Sequence, residues 1–211
     1  MAMIELNLNA GLLAPGTNPG LWARLRQWLG PRHQPAASDL WTECRVDEAA
    51  RAAWRDPVQF RREQVPEGSR ARQVLDEAAR RAGWGSPPAA GVSRGVAMGE
   101  TAGTWVALVA EVSEDGDGGR VHRVVAAVDC GAVIDFDDAR LEIQRGLRAG
   151  LHAEVDHADH VRLDVWWVCG DVPGRDRGEA ARRAVGPALA NALRALHDSR
   201  ARAHALAEAT A

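Results

Sequence analysis

Two apolar runs around a glycine–aspartate turn constrain this chain more than any other feature. Thr104 to Val112 and Arg120 to Val128 read as strands, and Asp115-Gly-Asp-Gly-Gly119 between them signals a hairpin, longer than the minimal two-residue turn. Val92 to Met98 reads as a strand before them and Val161 to Val168 as one after them. Helical spacing surrounds this β region. Val46, Ala49, Ala50, Ala53 and Trp54 recur on one helical face until Asp56-Pro57 breaks the run. Pro57 suits the first turn of a short helix through Phe60, and Ser69 can cap a helix from Arg70 to Arg81 that ends at Gly83. Asp137 can start a helix running to about Ala153, and Gly178 to about Ala207 forms the last helical region. Helices, hairpin, helix, strand and helix in that order predict an α+β fold, a mixed sheet containing the hairpin and packed by helices.

The expected organisation is an N-terminal arm over 1–40, a single α+β domain over 41–199 and a frayed tail over 200–211. In the arm, Ile4 to Leu8 alternates like a short strand and Leu21 to Leu29 fits a brief amphipathic helix, with Gly16, Pro19, Gly30, Pro31 and Pro35 as punctuation. The tail is rich in Ala and Arg.

Composition narrows the function classes. At 46% hydrophobic and 26% charged residues, the 211-residue chain reads as a soluble globular protein. A net charge of -3 and scattered arginines argue against a nucleic-acid partner. All basic side chains in the Lys+Arg count are arginine and there is no tyrosine, which excludes lysine Schiff-base chemistry and phenolic acid catalysis. Cys44, Cys130 and Cys169 are widely spaced and form no C-x-x-C pair, as expected in a reducing cytoplasm. Neither a signal peptide nor an apolar run of membrane-spanning length is expected.

Several segments carry a more specific message when taken together. They are Leu40-Trp-Thr-Glu-Cys-Arg-Val-Asp-Glu-Ala-Ala, Asp56-Pro-Val-Gln-Phe-Arg61, Arg72 to Gly85, Val124-Val-Ala-Ala-Val-Asp-Cys-Gly131, Gly178-Glu179 and Pro187-Ala-Leu-Ala-Asn191. In that order and spacing the chain resembles the C-terminal part of the molybdopterin-binding subunit of the xanthine dehydrogenase and aldehyde oxidase family, of the isoquinoline 1-oxidoreductase beta subunit type. The resemblance implies a fold similar to that C-terminal molybdopterin-binding domain. It also implies that Glu179 stands where the family carries the glutamate that deprotonates a molybdenum-bound hydroxyl.

The same alignment shows departures. The glycine-rich loop of the family reads here Pro173-Gly-Arg-Asp-Arg-Gly-Glu-Ala-Ala, and charged side chains obstruct the close backbone approach that glycine permits. Its Q-x-E-G-G stretch reads Glu142-Ile-Gln-Arg-Gly146, with Arg145 in place of a glycine, and Gly99 stands where a polar residue is usual. The hairpin expected between His152 and Arg162 is shortened, and the upstream segments that grip the pterin are not found. The expectation is therefore a chain that does not hold molybdopterin by itself.

Candidate residues follow. Glu179 is nominated as a general base or acid, against the plainer reading of a helix-start glutamate favoured by the macrodipole. Asp129 and Glu100 are nominated for proton transfer, against the reading of Asp129 as a strand end that fixes the fold. Trp105, Trp166, Trp167 and Arg145 are nominated to bind substrate. Trp54, Trp84 and Trp105 fall at core-like positions, and the adjacent Trp166 and Trp167 must point to opposite faces of a strand. His152 to His160 holds three imidazoles and three carboxylates, pairs of which could share a helical face, but a solvated loop is the plainer reading. No metal site is expected.

Three functions remain open. The first is a stand-alone, cofactor-free derivative of the domain, acting on a small apolar molecule by cyclisation, isomerisation or dehydration. The second is a split subunit of a molybdenum hydroxylase oxidising an aldehyde or N-heterocycle, sharing molybdopterin with a partner chain. The third is a non-catalytic binding protein. A small-molecule ligand, a possible homodimer, a cytoplasmic location and no membrane partner complete the expectations.

Overall fold

The uninterrupted apolar runs of the central hairpin find their reason in a sheet covered on both faces. The computed structural model describes residues 37–115, 118–133, 135–155, 157–168, 170 and 174–209. Among the described residues three helices come first: α1 (Ala37–Ala52), α2 (Pro57–Gln64) and α3 (Arg70–Arg81). Strands β1 (Val92–Thr101), β2 (Thr104–Asp115) and β3 (Gly118–Asp129) follow, then α4 (Phe136–Glu154), a 3-10 turn (Ala158–His160), β4 (Arg162–Trp167) and α5 (Arg177–Ala209). The four strands lie in the order β1-β2-β3-β4. The first three pair antiparallel and β4 joins β3 in parallel, so the sheet is mixed and the fold is α+β. A parallel neighbour needs a crossover, and α4 supplies it.

One face of the sheet presents Ala97, Val106, Leu108, Ala110, Val124, Ala126 and Val128 to α4 and α5. The other presents Val96, Ala107, Val109, Val125 and Ala127 to α3 and to Val58 of α2. Because both sets are buried, residues 106–110 and 124–128 are apolar without alternation, a pattern more usual in parallel sheets. Gly95 lets α5 approach β1 closely, since a Cβ there would overlap the backbone of Ala188 and Ala192.

Local signals set the turns. Ala102 and Gly103 both have positive φ, 49° and 84°, as the two central residues of a type I′ hairpin turn require. Asp56 caps α2 by accepting from the N–H groups of Val58 and Gln59, and Ser69 caps α3 by accepting from Arg72. Gly83, with φ 64°, closes α3 as expected. A bulge between Glu111 and Val112 leaves His122 with no residue directly opposite it on β2.

Ionic contacts finish the faces and one edge. Across the α3 face, Arg94, Glu111, Arg123 and Asp164 alternate in charge over all four strands. The separations are 2.9 Å for Arg94–Glu111, 4.0 Å for Arg123–Glu111 and 2.6 Å for Arg123–Asp164. Arg94 also donates to the carbonyls of Gly83 and Ser86, and Arg123 to that of Arg81, which satisfies the C-terminal end of α3. At the β1 edge, the N–H of Met98 donates to Glu43 and the carbonyl of Val96 accepts from Asn191, both at 2.9 Å. Glu43 is held in turn by Arg61, which is 3% exposed and lies 3.7 Å from the fully buried Asp47.

Some expectations need correction. Trp54 is 89% exposed rather than in the core, because α1 ends at Ala52 and Trp54 takes a positive φ of 54° just beyond it. The second helix continues past Phe60 to Gln64, and β1 reaches Thr101 instead of stopping at Met98. The last helix runs to Ala209, close to the expected end near Ala207. The features read from residues 1–36, and Cys169, lie outside the described residues.

Candidate functional site

A cleft opens where the N-terminal turn of α5 crosses α4. Its walls are Glu142, Arg145, Gly146 and Ala149 from α4, and Asp176, Arg177, Gly178, Glu179 and Arg182 around the start of α5. Glycine makes the crossing possible. A Cβ on Gly146 would overlap the carbonyl oxygen of Gly178, and one on Gly178 would stand 3.0 Å from the carbonyl oxygen of Glu142. The two helices are thus in backbone contact, and that contact brings two nominated residues, Arg145 and Glu179, to the same cleft.

The cleft is ionic. Arg182 grips Glu179 with two hydrogen bonds of 2.7 Å from Nε and Nη2, and Arg177 donates to Glu142 at 3.2 Å. The Arg182 contact holds the Glu179 carboxyl below the usual carboxylate range, so it is an anion at neutral pH. Its side chain remains 40% exposed. Arg145 is exposed and makes no ion pair among the described residues.

The other nominated residues lie elsewhere. Glu100, Trp105 and Asp129 are directly opposite one another across β1, β2 and β3, on the α3 face of the sheet. Trp166 shares that face and Trp167 takes the opposite one. Both tryptophans are half-buried. The guanidinium of Arg81 lies 3.2 Å from the centroid of the Trp166 ring, and Phe136 packs on Trp167 with ring centroids 4.7 Å apart. Trp105 is half-buried too and packs against the same core cluster as Met98 and Trp84, and the Trp84 indole N–H donates to Asp56 at 2.7 Å.

The two further carboxylates are already occupied. Asp129 is fully buried and accepts from Arg70 Nε at 2.7 Å and Nη2 at 2.8 Å, and from the N–H of Gly131 at 2.8 Å. It ties the start of α3 to the end of β3. Glu100 accepts from the N–H of Gly103 and so closes the turn between β1 and β2.

The two described thiols offer little reactivity. Burial pushes Cys44 up to about 12 and also raises Cys130, so neither is a thiolate at neutral pH. In the histidine-rich segment, His152 approaches Asp159 at 3.3 Å and His157 lies beside His160, with ring centroids 6.4 Å apart. Among the described residues no group of three His, Cys, Asp or Glu could hold a metal ion. One pairing escaped sequence reasoning. The Ser113 hydroxyl and His122 Nε2 are 2.7 Å apart, a contact created by the β3 bulge and therefore absent from any spacing pattern.

No family model matches the chain, and no curated protein matches it. Among solved structures it is similar to the Cu,Mo-CO dehydrogenase in its carbon monoxide reduced state, with a TM-score of 0.39 and 13% identity. That match covers 45% of this chain and 16% of the dehydrogenase chain. Among the described residues no helix is long and apolar enough to cross a membrane.

Proposed function

We propose that this chain is a cofactor-free, small-molecule-binding derivative of the molybdopterin-binding scaffold. Its site is the α4–α5 cleft, and Arg145 receives an anionic group of the ligand. The observation that carries the reading is the use made of Gly146 and Gly178. Each is filled against the backbone of the opposite helix, so their lack of a side chain serves helix packing and leaves no cradle for a pterin. Residues around that crossing do not fit molybdopterin. Binding is favoured over proton transfer by the state of the three nominated carboxylates. Asp129 is held by Arg70, Glu100 by its own turn and Glu179 by Arg182.

A carboxylate that already accepts two guanidinium hydrogen bonds is a weak base. One observation favours turnover as a second reading. Glu179 is the nominated carboxylate that shares its cleft with Arg145, and it is partly open to solute. A bound molecule that displaced Arg182 would raise its basicity and make isomerisation or dehydration accessible.

The test is metal analysis of protein purified from a molybdate-fed host, followed by titration with benzoate and, separately, inorganic phosphate, read by NMR shifts of cleft residues. The expected result is no stoichiometric molybdenum, shifts confined to the cleft with one of the two probes, and loss of binding in Arg145→Ala. Stoichiometric molybdenum, or binding unchanged by Arg145→Ala, overturns the proposal. Glu179→Gln separates the readings: binding alone survives it, and turnover does not.

A further inference from the structure

We infer that the free edge of β4 docks a second copy of this chain, strand to antiparallel strand, about a two-fold axis at Val165. Two four-stranded sheets would then join into one. The β3–β4 pairing fixes which backbone groups are left over. The N–H of Val168 donates to the carbonyl of Val128 at 2.9 Å, and parallel pairing alternates along the strand. Arg162, Asp164 and Trp166 therefore turn their N–H and C=O groups toward β3, while Leu163, Val165 and Trp167 turn theirs outward. Among the described residues those outward groups have no hydrogen-bond partner. The strand has no proline and no bulge, and its two charged side chains are engaged with Arg123 and with each other.

The side chains bordering the edge are apolar. Leu163, Val165 and Trp167 share the α4–α5 face of the sheet, where they are only partly buried, and Phe136, which packs on Trp167, is 52% exposed. A symmetric antiparallel pairing that keeps each face continuous places one residue on the axis. Asp164 there would meet its own copy, and like charges directly opposite are destabilising. Leu163 on the axis would set Trp167 against the 3-10 turn at Ala158–His160 instead of a strand.

Val165 on the axis avoids both. It pairs Val165 with its copy and Leu163 with Trp167, so all three outward-facing residues of each strand exchange hydrogen bonds. It also sets Asp164 opposite the Trp166 of the second copy, where the Arg81 guanidinium lies over the ring, a carboxylate facing a cation. Such an interface is isologous and closes as a dimer.

The full chain, measured by sedimentation over a concentration series and by amide exchange at each end of that series, tests this. Wild type is expected to reach twice the chain mass, with the amides of Leu163, Val165 and Trp167 slowing as the dimer forms. Val165→Pro is expected to remain folded and monomeric, because the N–H it removes serves no bond within the monomer. A monomer at every concentration overturns the proposal. So does a dimer in which those three amides exchange as fast as under dilution, a readout on wild type that does not depend on how the variant folds.

Discussion

The two edges of the sheet are built on opposite principles. At β1 the outward backbone groups of Val96 and Met98 are matched by side chains from α5 and α1, and behind them Arg61 and Asp47 form a buried ionic layer. At β4 the charges are few and partly exposed, Arg162 at 71%, and the outward groups of the strand meet no partner among the described residues. An edge sealed by buried charge is costly to disturb, because removing one partner strands the other in a low-dielectric site. An edge carrying solvent-exposed pairs is cheap to change. The difference marks β1 as an internal boundary of the fold and β4 as a surface.

Breaking the β1 seal should produce the largest losses. Arg61→Ala leaves the Glu43 carboxylate without its cation and Asp47 with Arg51 alone, and is expected to cost about 3–5 kcal/mol in urea unfolding. Gly95→Ala forces α5 away from the same strand and should cost about 3 kcal/mol, with fast amide exchange appearing along β1. Asn191→Ala orphans the carbonyl of Val96 and should cost about 1–3 kcal/mol.

Changes at β4 should be smaller and conditional. Burial raises the Asp164 carboxyl, but hydrogen bonds from Arg123 and Arg162 outweigh it and leave the group below the usual carboxylate range. A depressed value in the folded state means that its stabilisation is present above about pH 4 and is lost as pH falls through the lower folded value. Asp164→Asn should therefore cost about 1 kcal/mol at neutral pH, and the gap to wild type should close in acid. Arg162→Ala should change stability by less than about 0.5 kcal/mol, and added salt should erase even that. A β1-sized loss from Arg162→Ala would erase the contrast between the edges.

Sequence reasoning reached the elements and stopped short of this contrast. The hairpin was legible because Asp115 to Gly119 separates two apolar runs, and the α3 caps because Ser69 and Gly83 sit at the required positions. The pairing of Glu100 with Trp105 is implicit in the sequence once the first turn is placed, but the bulge between Glu111 and Val112 shifts by one residue the register that brings Asp129 opposite Trp105. Trp54 was misplaced because helical periodicity does not say that α1 stops two residues earlier. The β1 seal was illegible, since it joins Glu43 to Met98 and Asn191 to Val96 across 55 and 95 residues of chain. Sequence aligned Arg145 and Glu179 with one functional region through the family resemblance. It could not show that Gly146 and Gly178 would spend their freedom on each other.

The distance from Val96 to Asn191 has a consequence for the chain as it is made. When β1 leaves the ribosome, the amide that will cover its carbonyl has not been synthesised, and at about 5–20 residues per second it follows some 5–20 s later. Throughout that interval the Val96 carbonyl on the border of the nascent sheet is open to other chains. The protein should therefore be most prone to aggregate during translation, and a chaperone that shields β1 until α5 emerges should raise its yield more than any mutation that stabilises the finished fold.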